Sequence, residues 1–427
     1  MSEDAFTNTL QRRAAPDADA PRPEAKRGMA IAAGRAGQDR NLAVGYLRAF
    51  VTVLVLAHHS VIAYISGLPK ASASFTKPPL LWSAFPIQDP HNGTLFSLLT
   101  GFNETFFMSL MFFISGLFVW HSLKRKGAGG FVRDRVLRLG IPFAVAAAIL
   151  APLAYYPSYR VTGADPGIAA YWRAWTSLPV WMSGPAWFIW VLLAFGGLAA
   201  GLYKLAPRWG EALGRLTGAA NRKPLALFGK LLAVSAAAYV PLVLIFGASD
   251  WLQFGPFSIQ ASRILHYAVY FTAGIGVGAI GLGNGLLAPD GALQRRWGRW
   301  AALTPIAFVL VIAATIASYV LKSPGSPGWE IANGLAYVLC CATASFAFMA
   351  GFVRFARRRS AIWDSLATNA YGMYLVHYVF VIWIQFALLP SSLPGLSKGV
   401  LVFASVLALS WGSTALLRRI PVVARIL

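Results

Sequence analysis

Charge is scarce in this 427-residue chain: only 12% of its residues are Asp, Glu, Lys or Arg, against roughly 25% in an ordinary soluble domain. That excludes a water-soluble globule. Acids are scarcer still, 15 against 37 Lys and Arg. Cysteine is nearly missing, and the two present, Cys340 and Cys341, are neighbours in one apolar run. Adjacent positions on a helix point about 100° apart, so no ordinary bridge joins them. No disulfide framework and no metal-ligand spacing is present. The apolar runs do not alternate with polar residues, which excludes the strands of a membrane barrel. Nor is there an internal repeat of the kind many transporters carry.

What is there is apolar: 57% of residues are hydrophobic and the mean hydropathy is +0.59. Runs of about twenty such residues, each able to cross roughly 30 Å of hydrocarbon as a helix, fall near 42–65, 98–120, 137–156, 186–205, 225–246, 264–286, 300–320, 331–353, 366–389 and 396–417. The fold expected is an all-α polytopic bundle of about ten transmembrane helices in a lipid bilayer. Residues 1–41, rich in Ala, Pro, Arg and Asp, read as a disordered cytosolic tail rather than a signal peptide, and 42–427 as one transmembrane domain. A net charge of +22 in a soluble protein would suggest nucleic acid, but here the cations lie between the spans. About 29 of the 37 fall in the tail, in alternate loops and at the C-terminus. Short cytoplasmic loops retain cations, so both termini are expected in the cytoplasm of a multi-pass inner-membrane protein. The opposite loops, about 66–97 and 157–185, are long and rich in Trp, Pro and Tyr. They read either as an interfacial aromatic belt or as a cover over a site.

An ionisable side chain inside a span costs about 2.5 to 3.5 kcal/mol on insertion scales, so each one needs a reason. The candidates are Arg48, His58 and His59 in the first span, Glu104 near one end of the second, Arg263 and His266 at the start of the sixth, and His377 in the ninth. Arg48 and His59 are eleven residues apart. They therefore share a helix face to within about 20°, separated by about 16 Å along the axis. His58 turns away by about 80° and reads as snorkelling or bonding a neighbouring helix. Glu104 is expected to seek Arg or His, with His59 a plausible partner. Taken alone, His377 reads equally as a second acid or base and as a packing residue with one hydrogen bond. These residues would also suit a transporter of a lipid-linked sugar or a small polar solute.

The stretch YLRAFVTVLVLAHH, Tyr46 to His59, resembles the first span of the acyltransferase 3 family, with its Arg followed after ten residues by a His. Arg48 and His59 fit that spacing. FFISGLFVWHSLKRKGAGGFVRDRVLRLGIP, Phe112 to Pro142, is similar to the family's second block, with a Ser-Gly pair at Ser115 and an Arg-x-x-Arg at Arg135 and Arg138. AWFIWVLL from Ala186 and YGMYLVH from Tyr371 to His377 resemble later blocks, in order, and the wording looks closest to the branch that includes periplasmic-glucan succinyltransferases. One departure is Gly45, where the family often has an acid three residues before the Arg.

The resemblance implies a membrane-bound O-acyltransferase moving an acetyl or succinyl group from cytosolic acyl-CoA to a carbohydrate hydroxyl at the periplasmic face. Acyl-CoA would be the donor substrate, with no permanently bound cofactor, no metal and no nucleic acid partner. Arg48, Arg135 and Arg138 would offer guanidinium forks to the CoA phosphates, with Ser115 a second-rank candidate at the donor. His59 would act as base or as covalent acyl carrier, two routes the sequence leaves open. Glu104 would orient His59 as a triad's third member does, and His377 would be a further catalytic candidate.

Overall fold

The computed structural model describes residues 23–69, 73–321 and 323–427, with side chains described from Leu42 onward apart from Asn221. Of the disordered tail expected over residues 1–41, residues 1–22 lie outside the described residues, and the backbone of 23–41 is helical and continuous with the first span. Among the described residues ten helices are long and apolar enough to cross a membrane. They are α1 (Leu42–Tyr64), α2 (Thr94–Gly116), α3 (Val119–Val161), α4 (Gly184–Leu205), α5 (Pro224–Phe246), α6 (Ala261–Ile280), α7 (Trp297–Val320), α8 (Pro327–Phe355), α9 (Ala361–Leu388) and α10 (Gly395–Leu417). The ten expected spans are thus met in order.

Two differences have local causes. The basic stretch Lys124 to Arg138, expected as a loop, is helical and belongs to α3, broken only at Gly127, whose φ of +69° suits a residue without a Cβ. Between α5 and α6 the chain forms a hairpin, β1 (Trp251–Phe254) against β2 (Phe257–Gln260), antiparallel. It turns on Gly255 at φ +53°, the conformation a tight hairpin requires at its first central position.

Small residues set the closest crossing. A Cβ on Gly274 or Gly278 of α6 would overlap the carbonyls of Phe113 and Leu117 at the end of α2, and one on Gly116 would overlap that of Phe271. Packing of this kind, with small residues four apart, replaces the hydrophobic drive that lipid removes. α2 and α8 are central, whereas α5, α7 and α10 show most of their surface outward. Apolar side chains such as Ile306, Val309, Val400 and Leu401 are exposed there, as lipid-facing positions should be.

α3 carries Pro142, Pro152 and Pro157, none of which has an N–H to close the helical ladder. The helix widens to π geometry at Val136–Gly140 and Ala146–Leu150, each segment ending two residues before a proline. Side chains from elsewhere take up the backbone this frees. Pro142 cannot donate to the carbonyl of Arg138, and the Tyr371 hydroxyl of α9 does so at 2.6 Å. Pro157 cannot donate to that of Leu153, and the Trp383 indole of α9 does so at 2.8 Å. Trp181 donates to Ala147 at 2.8 Å. In lipid each such carbonyl needs a partner, so α9 is bound to α3 by groups the prolines made available.

At the end of the bundle away from the Arg clusters, the two long aromatic loops interlock. Phe75 stacks on Trp82 (4.2 Å), Trp82 meets Tyr155 edge-on (5.2 Å), and Tyr155 faces Trp175 (6.0 Å). The loop after α1 is tied to α10 by a fully buried ion pair, Lys398 Nζ to Asp89 at 2.6 Å.

Candidate functional site

α1 and α9 run parallel and in register. Tyr46 donates to Asp364 (2.8 Å), Arg48 to the carbonyl of Ala367 (3.3 Å), and the rings of His59 and His377 meet at 3.1 Å. The common face read for Arg48 and His59 is therefore the face turned to α9. Where α1 ends, its last carbonyls have no helical partner. Gln385 of α9 donates to two of them, His59 (2.9 Å) and Ser60 (3.0 Å), which fixes the backbone that carries the imidazole.

The hydrogen bonds assign the protons of the neutral histidine pair. His377 Nδ1 lies 2.6 Å from the carbonyl oxygen of Tyr374, which can only accept, so this nitrogen carries the proton. His377 Nε2 is then an acceptor. It faces His59 Nδ1 at 3.1 Å, so that nitrogen must donate, and the same N–H also points at the Val55 carbonyl, 3.0 Å away in its own helix. The lone pair of His59 is left on Nε2. His377 is fully buried, whereas His59 is only partly so. One imidazole is thus held in a fixed tautomer whose basic nitrogen has no partner among the described residues, and the other does the holding.

Glu104 is not at His59. Its carboxylate pairs with Arg263 (2.7 Å) and His58 (3.5 Å), and Arg263 also lies over the Tyr337 ring (5.0 Å). The reason is the turn of about 100° between neighbouring residues of α1, which aims His59 at α9 and His58 at α2. The expected triad role for Glu104 is corrected accordingly: the group orienting His59 is His377, oriented in turn by a backbone carbonyl. His58, read as snorkelling or bonding a neighbouring helix, does the second: it is buried against Glu104 of α2 and edge-on to His59 at 5.2 Å. His266 is buried among Tyr239, Tyr270 and Tyr337. Several polar atoms around this second centre, including both His266 nitrogens, His58 Nδ1, Asn103 Nδ2 and Arg263 Nε, have no partner among the described residues.

The three predicted cofactor-site arginines gather at the opposite end of α9. The guanidinium of Arg48 and the backbone carbonyl of Arg138 meet α9 at Ala367 and Tyr371, one helical turn apart. Arg135 lies over the Phe131 ring at 5.0 Å and packs along Gly196 of α4. Among the described residues no carboxylate pairs with any of them: Asp134 is taken by Lys126, Glu211 by Lys124, and Asp364 by Tyr46. With Gly45 in place of an acid, the hydrogen-bond partner of Arg48 among the described residues is the Ala367 carbonyl. Ser115 is half-buried on α2, and no contact brings it to the histidines or the arginines.

Between arginines and histidines runs one stripe of α9. Tyr371, Tyr374 and Tyr378 follow at helical spacing, and the Tyr378 ring is 5.3 Å from that of His59. Tyr374 donates to the Pro185 carbonyl, and the Tyr378 and Tyr155 hydroxyls are 3.5 Å apart. Tyr374 and Tyr378 form one wall of a narrow cleft of about 20 Å³, room for little more than a water molecule, whose other walls are α3 and the start of α4. The sequence offered Tyr371 and Tyr374 only as members of the block that ends at His377. Gln385 and the cleft were missed, because no spacing within one helix reports what another helix presents.

A family model described as an acyltransferase domain matches residues 41–415. Neither the curated proteins nor the solved structures contain a match to this chain.

Proposed function

The chain belongs to this acyltransferase family, and on that premise we propose that it carries an acyl group from cytosolic acyl-CoA to a carbohydrate hydroxyl at the other face of the inner membrane. The observation that carries the reading is the histidine pair, in which His59 keeps a free Nε2 in a tautomer fixed by His377. A hydroxyl is a poor nucleophile at neutral pH and needs a positioned base. In this reading His59 Nε2 takes the hydroxyl proton as the oxygen attacks the thioester carbonyl. The C–S bond breaks, and the thiolate leaves with the proton that His59 returns. Atoms and charge balance within the site, and no permanently bound cofactor takes part.

Both termini and the cation-rich ends lie in the cytoplasm in this proposal. Arg48, Arg135 and Arg138, unpaired with any described carboxylate, then face the anionic donor, where guanidinium forks suit phosphate oxygens. Ser115 keeps at most a supporting place near the donor end. Glu104 serves on the acceptor's side: paired with Arg263 and with His58, the neighbour of His59, and partly exposed, it offers polar contacts to the acceptor hydroxyls.

The test uses membranes containing the full chain, radiolabelled acetyl-CoA or succinyl-CoA, and the envelope polysaccharide fraction as acceptor. Label should enter the polysaccharide with release of free CoA, and His59→Ala should abolish both while the protein stays inserted. Full acylation by His59→Ala would remove His59 from the chemistry. Movement of a polysaccharide precursor without any CoA release would point to a transporter instead.

A further inference from the structure

We infer that the acceptor enters a polar recess between Glu104, Arg263, Trp187 and His59, and that this recess takes an uncharged sugar unit rather than a uronate or a phosphorylated one. The inference rests on the acyl-transfer reading above and names the class of acceptor. Side chains of five helices close a ring there. His59 meets the Tyr378 ring at 5.3 Å, and Tyr378 packs on the backbone of Gly184, where an added Cβ would come within 3.1 Å of it. From Gly184 the start of α4 leads to Trp187, which stacks on Tyr267 of α6 at 5.7 Å. Tyr267 lies one turn beyond Arg263. The pairing of Arg263 with Glu104 (2.7 Å), and of Glu104 with His58 (3.5 Å), returns the ring to α1. Phe112 of α2 forms the floor, fully buried against Tyr267 (4.9 Å) and Phe188 (4.7 Å).

Exposure says what the ring encloses. The Glu104 side chain is 43% exposed although both of its carboxylate oxygens are engaged, and it stands ten residues into α2. A carboxylate turned to hydrocarbon is heavily penalised, so that open surface faces water. His59 and Trp187 are also partly exposed, although rings from neighbouring elements pack on each, His377 and Tyr378 on the first, Tyr267 and Trp251 on the second. The three accessible surfaces belong to one ring and so to one recess.

The charges decide the ligand. The Arg263 side chain is 11% exposed and its charge is offset by Glu104, so the charge an incoming group meets is the carboxylate. Sugar hydroxyls donate to a carboxylate, whereas a second anion is repelled by it. The arginines that lack a carboxylate partner are at the opposite end of α9 and offer no compensation. Trp187 adds a flat apolar ring for the C–H face of the sugar, and a small-molecule site combines such a surface with a few placed polar groups. A sugar seated between Trp187 and Glu104 has its hydroxyls beside His59.

For the test, envelope polysaccharide is separated by anion exchange into neutral and anionic pools. Each pool is offered at equal hexose to membranes containing the full chain, with radiolabelled acetyl-CoA or succinyl-CoA. Label should enter the neutral pool at least about tenfold faster, the direction that like charges impose in a partly dry site. Glu104→Gln combined with Arg263→Gln removes both charges and should shrink that preference several-fold. Trp187→Leu should raise the apparent KM for the neutral pool by up to about tenfold and leave that for acyl-CoA unchanged, with Trp187→Tyr recovering part of the loss. Label entering the anionic pool as fast as the neutral one would overturn the acceptor class and leave acyl transfer standing. Release of no CoA with either pool would overturn both. A preference unchanged in the double variant would remove the carboxylate as its cause. A Trp187→Leu protein that keeps its thermal unfolding profile and both KM values would place the acceptor outside this recess.

Discussion

Replacing His377 separates a base from the group that orients it. His377→Leu removes the acceptor for His59 Nδ1–H at 3.1 Å while keeping a side chain of similar bulk in a fully buried position. The Val55 carbonyl remains 3.0 Å from the same N–H, so the tautomer survives and Nε2 stays basic. What is lost is the bond that strengthens when His59 becomes an imidazolium in the transition state. A hydrogen bond to a charged group contributes about 1.5–3 kcal/mol, which converts to a rate loss of about 10- to 150-fold. Removal of the base itself, as in His59→Ala, should cost more, about 10²- to 10⁴-fold. His377→Gln offers an amide oxygen in place of Nε2 and should recover part of the loss. The assay is the initial rate of label transfer from radiolabelled acetyl-CoA to envelope polysaccharide, normalised to inserted protein, with thermal unfolding in detergent as the control for folding. If His377→Leu matched His59→Ala, His377 would be the base. If it cost nothing, the chain from Tyr374 through His377 to His59 would have no part in turnover.

Arg48→Ala and Arg138→Ala should each raise the apparent KM for acyl-CoA by about tenfold or more, the loss expected for a charge-assisted bond to phosphate; an unchanged KM in kinetics on purified protein would reduce both arginines to topological signals. Lys398→Met leaves Asp89 buried without its partner and should destabilise the protein by about 3–5 kcal/mol, whereas Lys398→Met combined with Asp89→Leu should recover much of that in denaturant unfolding. Tyr371→Phe orphans the Arg138 carbonyl at an expected cost of about 1–3 kcal/mol. In a Pro142→Ala background, where residue 142 regains an N–H, the same change should cost much less; equal costs in the two backgrounds would refute the account of α3.

The ten spans were legible because each is a run of side chains whose transfer into hydrocarbon is favourable in any arrangement. The stripe joining Arg48 to His59 was legible for a related reason: helical pitch fixes faces before any partner is known. Pitch does not say which helix receives a face. Glu104 was therefore assigned to His59, although the same geometry that turns His59 toward α9 turns His58 toward α2. The arginine cluster could be read as a set from the Arg-x-x-Arg block, and the structure brings two of its anchors within one turn of α9. The cleft could not be read, because it is made of alanines on α3 and α4 that carry no signal alone. The prolines of α3 were visible in the sequence, but their consequence, two π segments and freed carbonyls, depends on donors more than two hundred residues away.

α9 performs three tasks along its length, on faces set by helical pitch. Near residue 367 it meets Arg48; through Tyr371 and Trp383 it holds the backbone of α3; between these, at 374 to 378, it supplies His377 and the tyrosine wall of the cleft. Because Arg138 and the alanines of the cleft sit on the same stretch of α3 that α9 clamps, His377 and the alanine wall of the cleft cannot shift relative to each other without breaking hydrogen bonds in a medium that offers no replacement. Loops could not give this precision, since their backbone exchanges partners with water. A proline-interrupted helix ordinarily bends where it is weakest. Here α9 attaches at the carbonyls freed by Pro142 and Pro157, and Trp181 at that of Ala147, so the defects in α3 become the fixtures that register it on its neighbours.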